Sequence, residues 1–560
     1  MKTKLLALAA ALLATPAFAD TWIRDVNGIQ VGPDGKIQRF RGLLIGDDGR
    51  VKQLSPDPES IRITGTDHVG VVDGGGRTLL PGIIDAHGHV MGLGLAALQL
   101  DLVGTNSLQE LQQRLRDYAA ANPDLPWIIG RGWNQELWPD KRFPSAADLD
   151  SVVRDRAVML ERVDGHAVVA NSAALKAAGI TAATADPAGG RIERDSRGNP
   201  TGLLIDSASE LVARKVPPPT SAQLDSALAA AQQALLAVGI TATADMGTSV
   251  DDWETLRRAG EAGALNVRVM SYAADVGPMR AIAPNGPTPW LYADRLRMGG
   301  IKIYGDGALG SRGAWLKKPY ADKPDTSGLR FLSDEELRSK IEEAARIGIQ
   351  PAVHAIGDAA NAQAIAAFEW ARNRHSGDRR WRIEHFQIAD PADIPRLAPA
   401  GIIASMQPVH QTSDRLMAEK RLGPDRLAGA YAWQSVLKSG AKLAFGSDFP
   451  VESPNPFPGL SAAISRQDMN GQPPGGWIPA ERLSFEQALT AFTRDAAFAG
   501  FAEGKIGALE PGAWADFILV DRDVSRADPQ SLARTQVLQT WLAGKKVWER
   551  PSAARGERGR

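Results

Sequence analysis

Short apolar runs bounded by turn residues recur along the chain at 83–89, 240–245, 267–272, 301–304, 351–354, 382–385, 402–406 and 443–448. Runs of this length and character are what strands buried on both faces look like. Stretches of helical period lie between them, for example 334–347 and 359–372. Strands that alternate with helices predict a parallel sheet. Eight such strands are the number a closed barrel needs, so the expected fold class is α/β, a TIM-like (β/α)8 barrel.

The pattern changes on either side of these runs. Residues 20–80 carry short β-like runs with Gly and Asp turns, such as 28–31 and 61–64, and 500–550 has the same texture at 515–520 and 537–542. Neither end is long enough for its own core, which predicts one composite β-sandwich from 20–80 and 500–550. The barrel then spans 81–94 and 236–499. Two further strand-like runs, 127–130 and 157–160, fall between the first two barrel strands. They predict an inserted α+β domain over 95–235, placed over the active site.

The ends of the apolar runs carry the chemistry. His87 and His89 close the first run, Lys302 and Tyr304 the fourth, His354 the fifth, His385 the sixth and Asp448 the eighth. Residues i and i+2 of a strand share a side, so His-x-His aims two imidazoles at one point, as a pair of metal ligands requires. A parallel barrel gathers catalytic residues from the C-terminal ends of several strands.

Composition narrows the field. Lys+Arg is 64 and Asp+Glu 65, a formal net charge of −1. That balance gives no electrostatic case for nucleic acid or an anionic membrane surface. The chain has no cysteine, which excludes disulfides and a lipidated N-terminal cysteine. Lys2, Lys4, the apolar stretch 5–13 and Ala17-Phe18-Ala19 have the layout of a cleavable signal peptide, 1–19. The expected mature chain starts at Asp20 and is periplasmic or secreted.

These motifs resemble the amidohydrolase superfamily, whose binuclear metal hydrolases show the order His-x-His, Lys, His, His, Asp. The resemblance extends to Asp164-Gly165-His166 with Asn171-Ser172, to 306–313, and to Gly446-Ser447-Asp448-Phe449-Pro450-Val451-Glu452. It points to the branch of N-substituted formamide deformylases (amidohydrolase family 3) and covers nearly the whole mature chain. The expected cofactors are two divalent ions, zinc by the ligand set. His87, His89 and Asp448 would hold one, and His354 and His385 the other. The resemblance implies that Lys302 is carboxylated and bridges the two; an ordinary ion pair with Asp306 is the alternative.

The resemblance thus implies hydrolysis of amide C–N bonds of the N-acyl or N-formyl amine type. A hydroxide bridging the metals would attack, and Asp448 would act as general base and then acid. His166 is a candidate to stabilise the oxyanion, or a structural turn residue. Arg312 is a candidate for a substrate carboxylate, or a structural ion-pair group. His410 is a pocket candidate, and Trp133, Trp138 and Trp315 would form an apolar wall or pack internally. Cyclic amide, lactone or ester hydrolysis, a mononuclear deaminase and a binding or regulatory protein on the same scaffold are the competing functions. The expected partner is a small-molecule amide, with no nucleic acid and no membrane; a homodimer is compatible with this reading.

Overall fold

The computed structural model describes residues 20–57, 69–163, 165, 167–187 and 190–551. The predicted leader, the run 61–64, Asp164 and His166 lie outside the described residues. The chain divides into two compact units, 1–90 with 232–560, and 91–231.

The first unit contains an eight-stranded parallel sheet. Its strands are β1 (Ile83–Gly88), β2 (Ile240–Thr248), β3 (Arg268–Ala273), β4 (Leu296–Tyr304), β5 (Gln350–Ala355), β6 (Trp381–His385), β7 (Ile402–Met406) and β8 (Lys442–Phe445). They follow one another in chain order around the barrel. All eight predicted runs are strands, but β8 stops at Phe445, so Asp448 sits in the loop beyond it.

Helices α1 (Asp334–Arg346), α2 (Asp358–Arg372) and α3 (Pro408–Leu422) follow β4, β5 and β7. Helix α1 starts at a capping box, Ser333 with Glu336, and buries Leu337, Ile341, Ala344 and Ala345 at helical spacing. Phe368 of α2 stacks on Trp381 of β6 at 5.3 Å between ring centroids. Trp381 therefore faces the helices, and its neighbour Arg382 faces the barrel interior.

The seam between β8 and β1 is closed by Asp85. Its buried carboxylate accepts from the Ser447 hydroxyl (2.6 Å), the Ser447 N–H (3.1 Å) and the His87 N–H (3.0 Å). Asp448 N–H donates to His87 O (2.7 Å), and His89 N–H to Phe449 O (2.8 Å). A Cβ on Gly446 would lie 2.5 Å from both Asp85 Oδ1 and His87 N, so only glycine permits this approach.

Both chain ends contribute to a six-stranded sheet, in which Thr78–Pro81 pairs antiparallel with Phe517–Val520. Phe40, Leu79, Phe517, Leu519 and Trp541 share one core with Ile23, Leu43 and Val51 of a second, four-stranded sheet. Buried Arg268 of β3 anchors this region to the barrel through Asp516, at 2.6 and 2.9 Å.

The second unit has its own six-stranded sheet, which includes Trp127–Trp133 and Ala157–Arg162. Leu111, Leu115, Ile128, Val158 and Leu160 form its core together with Trp133 and Trp138. Trp133 is fully buried and donates its indole N–H to Leu160 O (2.9 Å), while Trp138 donates to Thr105 O (3.0 Å). The expected pocket wall is thus corrected for both tryptophans: they are packing residues whose polar atoms are satisfied within the unit.

Candidate metal centre

The site stands on a buried ion pair. Arg382 and Glu384 lie two apart on β6, so both side chains point into the barrel. Arg382 Nε donates to Glu384 Oε1 (2.7 Å). Its other nitrogens reach Tyr272 OH (2.8 Å), Ala86 O (2.7 Å) and Ser405 Oγ (3.0 Å), which ties β6 to β3, β1 and β7. Tyr272 OH in turn donates to Gln350 Oε1 (2.5 Å) on β5. Burial opposes the charge on Glu384, but Arg382 and His87 hold its carboxyl well below the usual carboxylate range.

Glu384 orients the first histidine. His87 Nδ1–H donates to Glu384 Oε2 at 2.6 Å, which leaves the Nε2 lone pair facing the interior. Lys302 Nζ donates to that lone pair at 3.1 Å. A carboxylate behind a histidine is the arrangement that fixes the tautomer of a metal ligand and raises its basicity. His385 is treated alike: its Nδ1–H donates to Gln407 Oε1 (2.9 Å), freeing Nε2. Strand alternation would turn His385 outward after Glu384, but its φ of +74° breaks the alternation. Its ring then lies 4.6 Å from His87 and 4.5 Å from His354 between centroids. Asp448, at φ +63°, and Phe386, at φ +43°, are strained here too.

Asp448 Oδ1 accepts from His89 Nε2 (3.1 Å) and lies 3.6 Å from His87 Nε2. The ligand atoms of His87, His385 and Asp448 all lie within 4.8 Å of one another. His354 Nε2 is buried without a hydrogen-bond partner among the described residues, 3.5 Å from Asp306 Oδ1. Adjacent strands place Tyr304 opposite His354, and His354 opposite Glu384.

Burial and the neighbouring Lys302 charge push His87 down to about 4 and His354 to about 3; burial and the adjoining imidazoles take His385 well below its usual value. All three are neutral near pH 7, the form that binds a metal. Burial also pushes the Lys302 amine down to about 8, against the pull of Glu384 and Asp448. For Asp448, burial is outweighed by the His89 hydrogen bond and by the neighbouring imidazoles of His87, His385 and His410, so its carboxyl stays well below the usual range. Neutral imidazoles with free lone pairs, an anionic carboxylate and an orphaned buried nitrogen fit a divalent cation.

The structure brings together His87, His89, Lys302, His354, His385, Asp448 and His410. It does not pair Lys302 with Asp306, which instead accepts backbone N–H groups from Trp315 (2.9 Å), Ile356 (3.0 Å) and Gly357 (2.8 Å). Two further expectations are corrected. Arg312 is already matched by Asp322, at 2.9 and 3.2 Å, so no free guanidinium awaits a carboxylate there. Trp315 lies under Arg330, at 4.9 Å, and lines a groove of about 250 Å³ with Asp334, Arg338 and Ala359 of α1 and α2, outside the barrel. Sequence reasoning missed Glu384, Arg382, Gln407 and Gln387. The available signal was a pair of opposite charges two apart in a run otherwise fit for full burial.

The amidohydrolase family model matches residues 70–548. The protein LONG AFTER FAR-RED 3 of Arabidopsis thaliana is 35% identical over 488 residues, covering 84% of this chain and 82% of its own. The N-substituted formamide deformylase of Arthrobacter pascens is 28% identical over 523 residues, covering 90% and 94%. The crystal structure of an uncharacterized metal-dependent hydrolase from Pyrococcus horikoshii OT3 superimposes with a TM-score of 0.77 at 26% identity, covering 91% of this chain and 99% of that one.

Proposed function

The chain belongs to the amidohydrolase family, and from that premise we propose that this metal-dependent hydrolase cleaves the C–N bond of small amides of the N-acyl or N-formyl amine type. The observation that carries the reading is the convergence of His87, His385 and Asp448 beside a buried lysine. His87, His89 and Asp448 would hold one ion, His354 and His385 the other, and zinc suits this donor set. Divalent ions held there supply an activated water and polarise the scissile carbonyl.

The chain's own residues do the rest. Asp448, kept anionic by its imidazole neighbours, accepts the proton of the attacking water at a carboxylate oxygen. It then delivers that proton to the departing nitrogen, which leaves poorly as an amide anion. Lys302 is the proposed bridge. Its lowered pKa supplies the free amine that adds to carbon dioxide, forming a carbamate with loss of a proton. An unmodified ammonium beside two cations would be repelled by several kcal/mol even at an effective dielectric of about 20.

The rim supports an apolar substituent on the substrate. Tyr304, Leu329, Phe331 and Val451 are exposed, Phe331 N–H bonds Gly305 O beside β4, and Val451 N–H bonds Asp448 O. N-benzylformamide is therefore the test substrate, with benzyl formate as the matched ester. Release of benzylamine at a higher kcat/KM than that for the ester is expected; a clear preference for the ester overturns the amide reading. Elemental analysis should give two divalent ions per chain, and Lys302→Arg should lose most turnover and at least one ion, since guanidinium forms no carbamate. Near-normal metal content and turnover in Lys302→Arg would remove the lysine bridge. Export is also proposed, and N-terminal sequencing of protein from the native host should begin at Asp20; a sequence starting at Met1 would refute it.

A further inference from the structure

We propose that His410 donates a hydrogen bond to the substrate's carbonyl oxygen, and that Gln387 fixes it in that role; this rests on the hydrolase reading above. His410 lies in the first turn of α3 and Gln387 just beyond β6, and both are more than nine-tenths buried. Gln387 Nε2 lies 3.1 Å from His410 Nδ1. An amide nitrogen carries only hydrogens, so Nδ1 accepts and the ring proton must sit on Nε2.

That Nε2–H has no acceptor among the described residues. It points towards the site: Nε2 is 3.8 Å from Asp448 Oδ2, beyond hydrogen-bond reach, and the ring stacks on His385 at 6.2 Å and 20°. A buried donor without an acceptor costs free energy that a ligand oxygen relieves. The carbonyl oxygen gains negative charge as the nucleophile adds, so a fixed donor there binds the transition state better than the ground state. His410 would touch the substrate and is proposed as catalytic; Gln387 acts through it and is a positioning residue. Donors of this kind are worth roughly 10²–10³-fold in kcat.

The test uses the metal-loaded enzyme with ¹⁵N-labelled histidine. Long-range ¹H–¹⁵N spectra, assigned by the signal lost in His410→Gln, should show the His410 proton on Nε2. In Gln387→Met, which keeps the volume but removes the donor, that tautomer should no longer be fixed. His410→Leu should keep its metal and lose roughly 10²-fold in kcat on N-benzylformamide and in affinity for phenylphosphonate, a tetrahedral oxyanion mimic. His410→Gln, which retains an amide donor, should lose less, and KM should change little in either variant. A wild-type proton on Nδ1 overturns the proposal. So does His410→Leu with wild-type phosphonate affinity. If the wild type fails to cleave the formamide, the amide reading falls, while the tautomer and the phosphonate arm still decide the role of His410.

Discussion

Beneath the histidines each nitrogen of Arg382 has an acceptor, whereas at the mouth His354, Gln407 and His410 each keep a buried nitrogen with no partner among the described residues. Both regions are polar and both hold buried groups. The floor is a closed network whose members satisfy one another, and it serves to hold β1, β3, β5, β6 and β7 in register. The mouth uses the same kinds of group with their hydrogen-bonding capacity unspent. Stability and function divide along this line, because a satisfied buried network rigidifies and an unsatisfied group costs free energy until something binds it.

The largest effect should come from the floor. Arg382→Met leaves the Glu384 carboxylate buried without its cation, and about 3–5 kcal/mol of stability should be lost in urea unfolding. An unchanged midpoint would erase the distinction between the two regions. Glu384 also sets an acid dependence. Its folded pKa lies below the ordinary value of about 4.3, so the stability it contributes is present above that pH and is lost as the pH falls through and below it. Glu384→Gln should be less stable at neutral pH and show a flatter acid limb; an unaltered limb would mean that other carboxylates dominate.

The mouth should behave in the opposite way. His354→Leu removes an orphaned nitrogen, so the metal-free protein should hold its midpoint or gain roughly 0.5–2 kcal/mol. The same variant should lose bound metal and most turnover. Chelation should lower the wild-type midpoint by linkage and lower that of His354→Leu by less, because only one of the two ions depends on His354. A metal-free His354→Leu that is strongly destabilised would place this residue with the floor. The smallest effect is expected at Arg312. Arg312→Ala breaks an exposed pair with Asp322, so stability and N-benzylformamide turnover should stay near wild type. A selective loss of turnover on N-formyl amino acids would restore its carboxylate-binding role.

The eight barrel strands and the polar side chains at or just beyond their ends were legible along the chain, because alternation and the end of an apolar run are local properties. His87, His89, Lys302, His354, His385 and Asp448 all emerged that way. What surrounds each of them was not legible. Arg312 read equally as a ligand for substrate or for protein until the fold brought Asp322, ten residues on, to its side. Trp133 and Trp315 read as pocket residues because an indole's apolar face suits a core, a groove or a binding site alike, and only packing chooses among them.

Sequence alone therefore determined which side chains gather at the strand ends, since that depends on residue type and on a periodicity of two. Tertiary structure alone decided the protonation and aim of those side chains. Glu384 selects the tautomer of His87, Gln407 that of His385 and Gln387 that of His410, through contacts that span 297 residues in the first case and 22 and 23 in the others. A tautomer is set by whichever partner meets the second ring nitrogen, and that partner exists only once the barrel has closed.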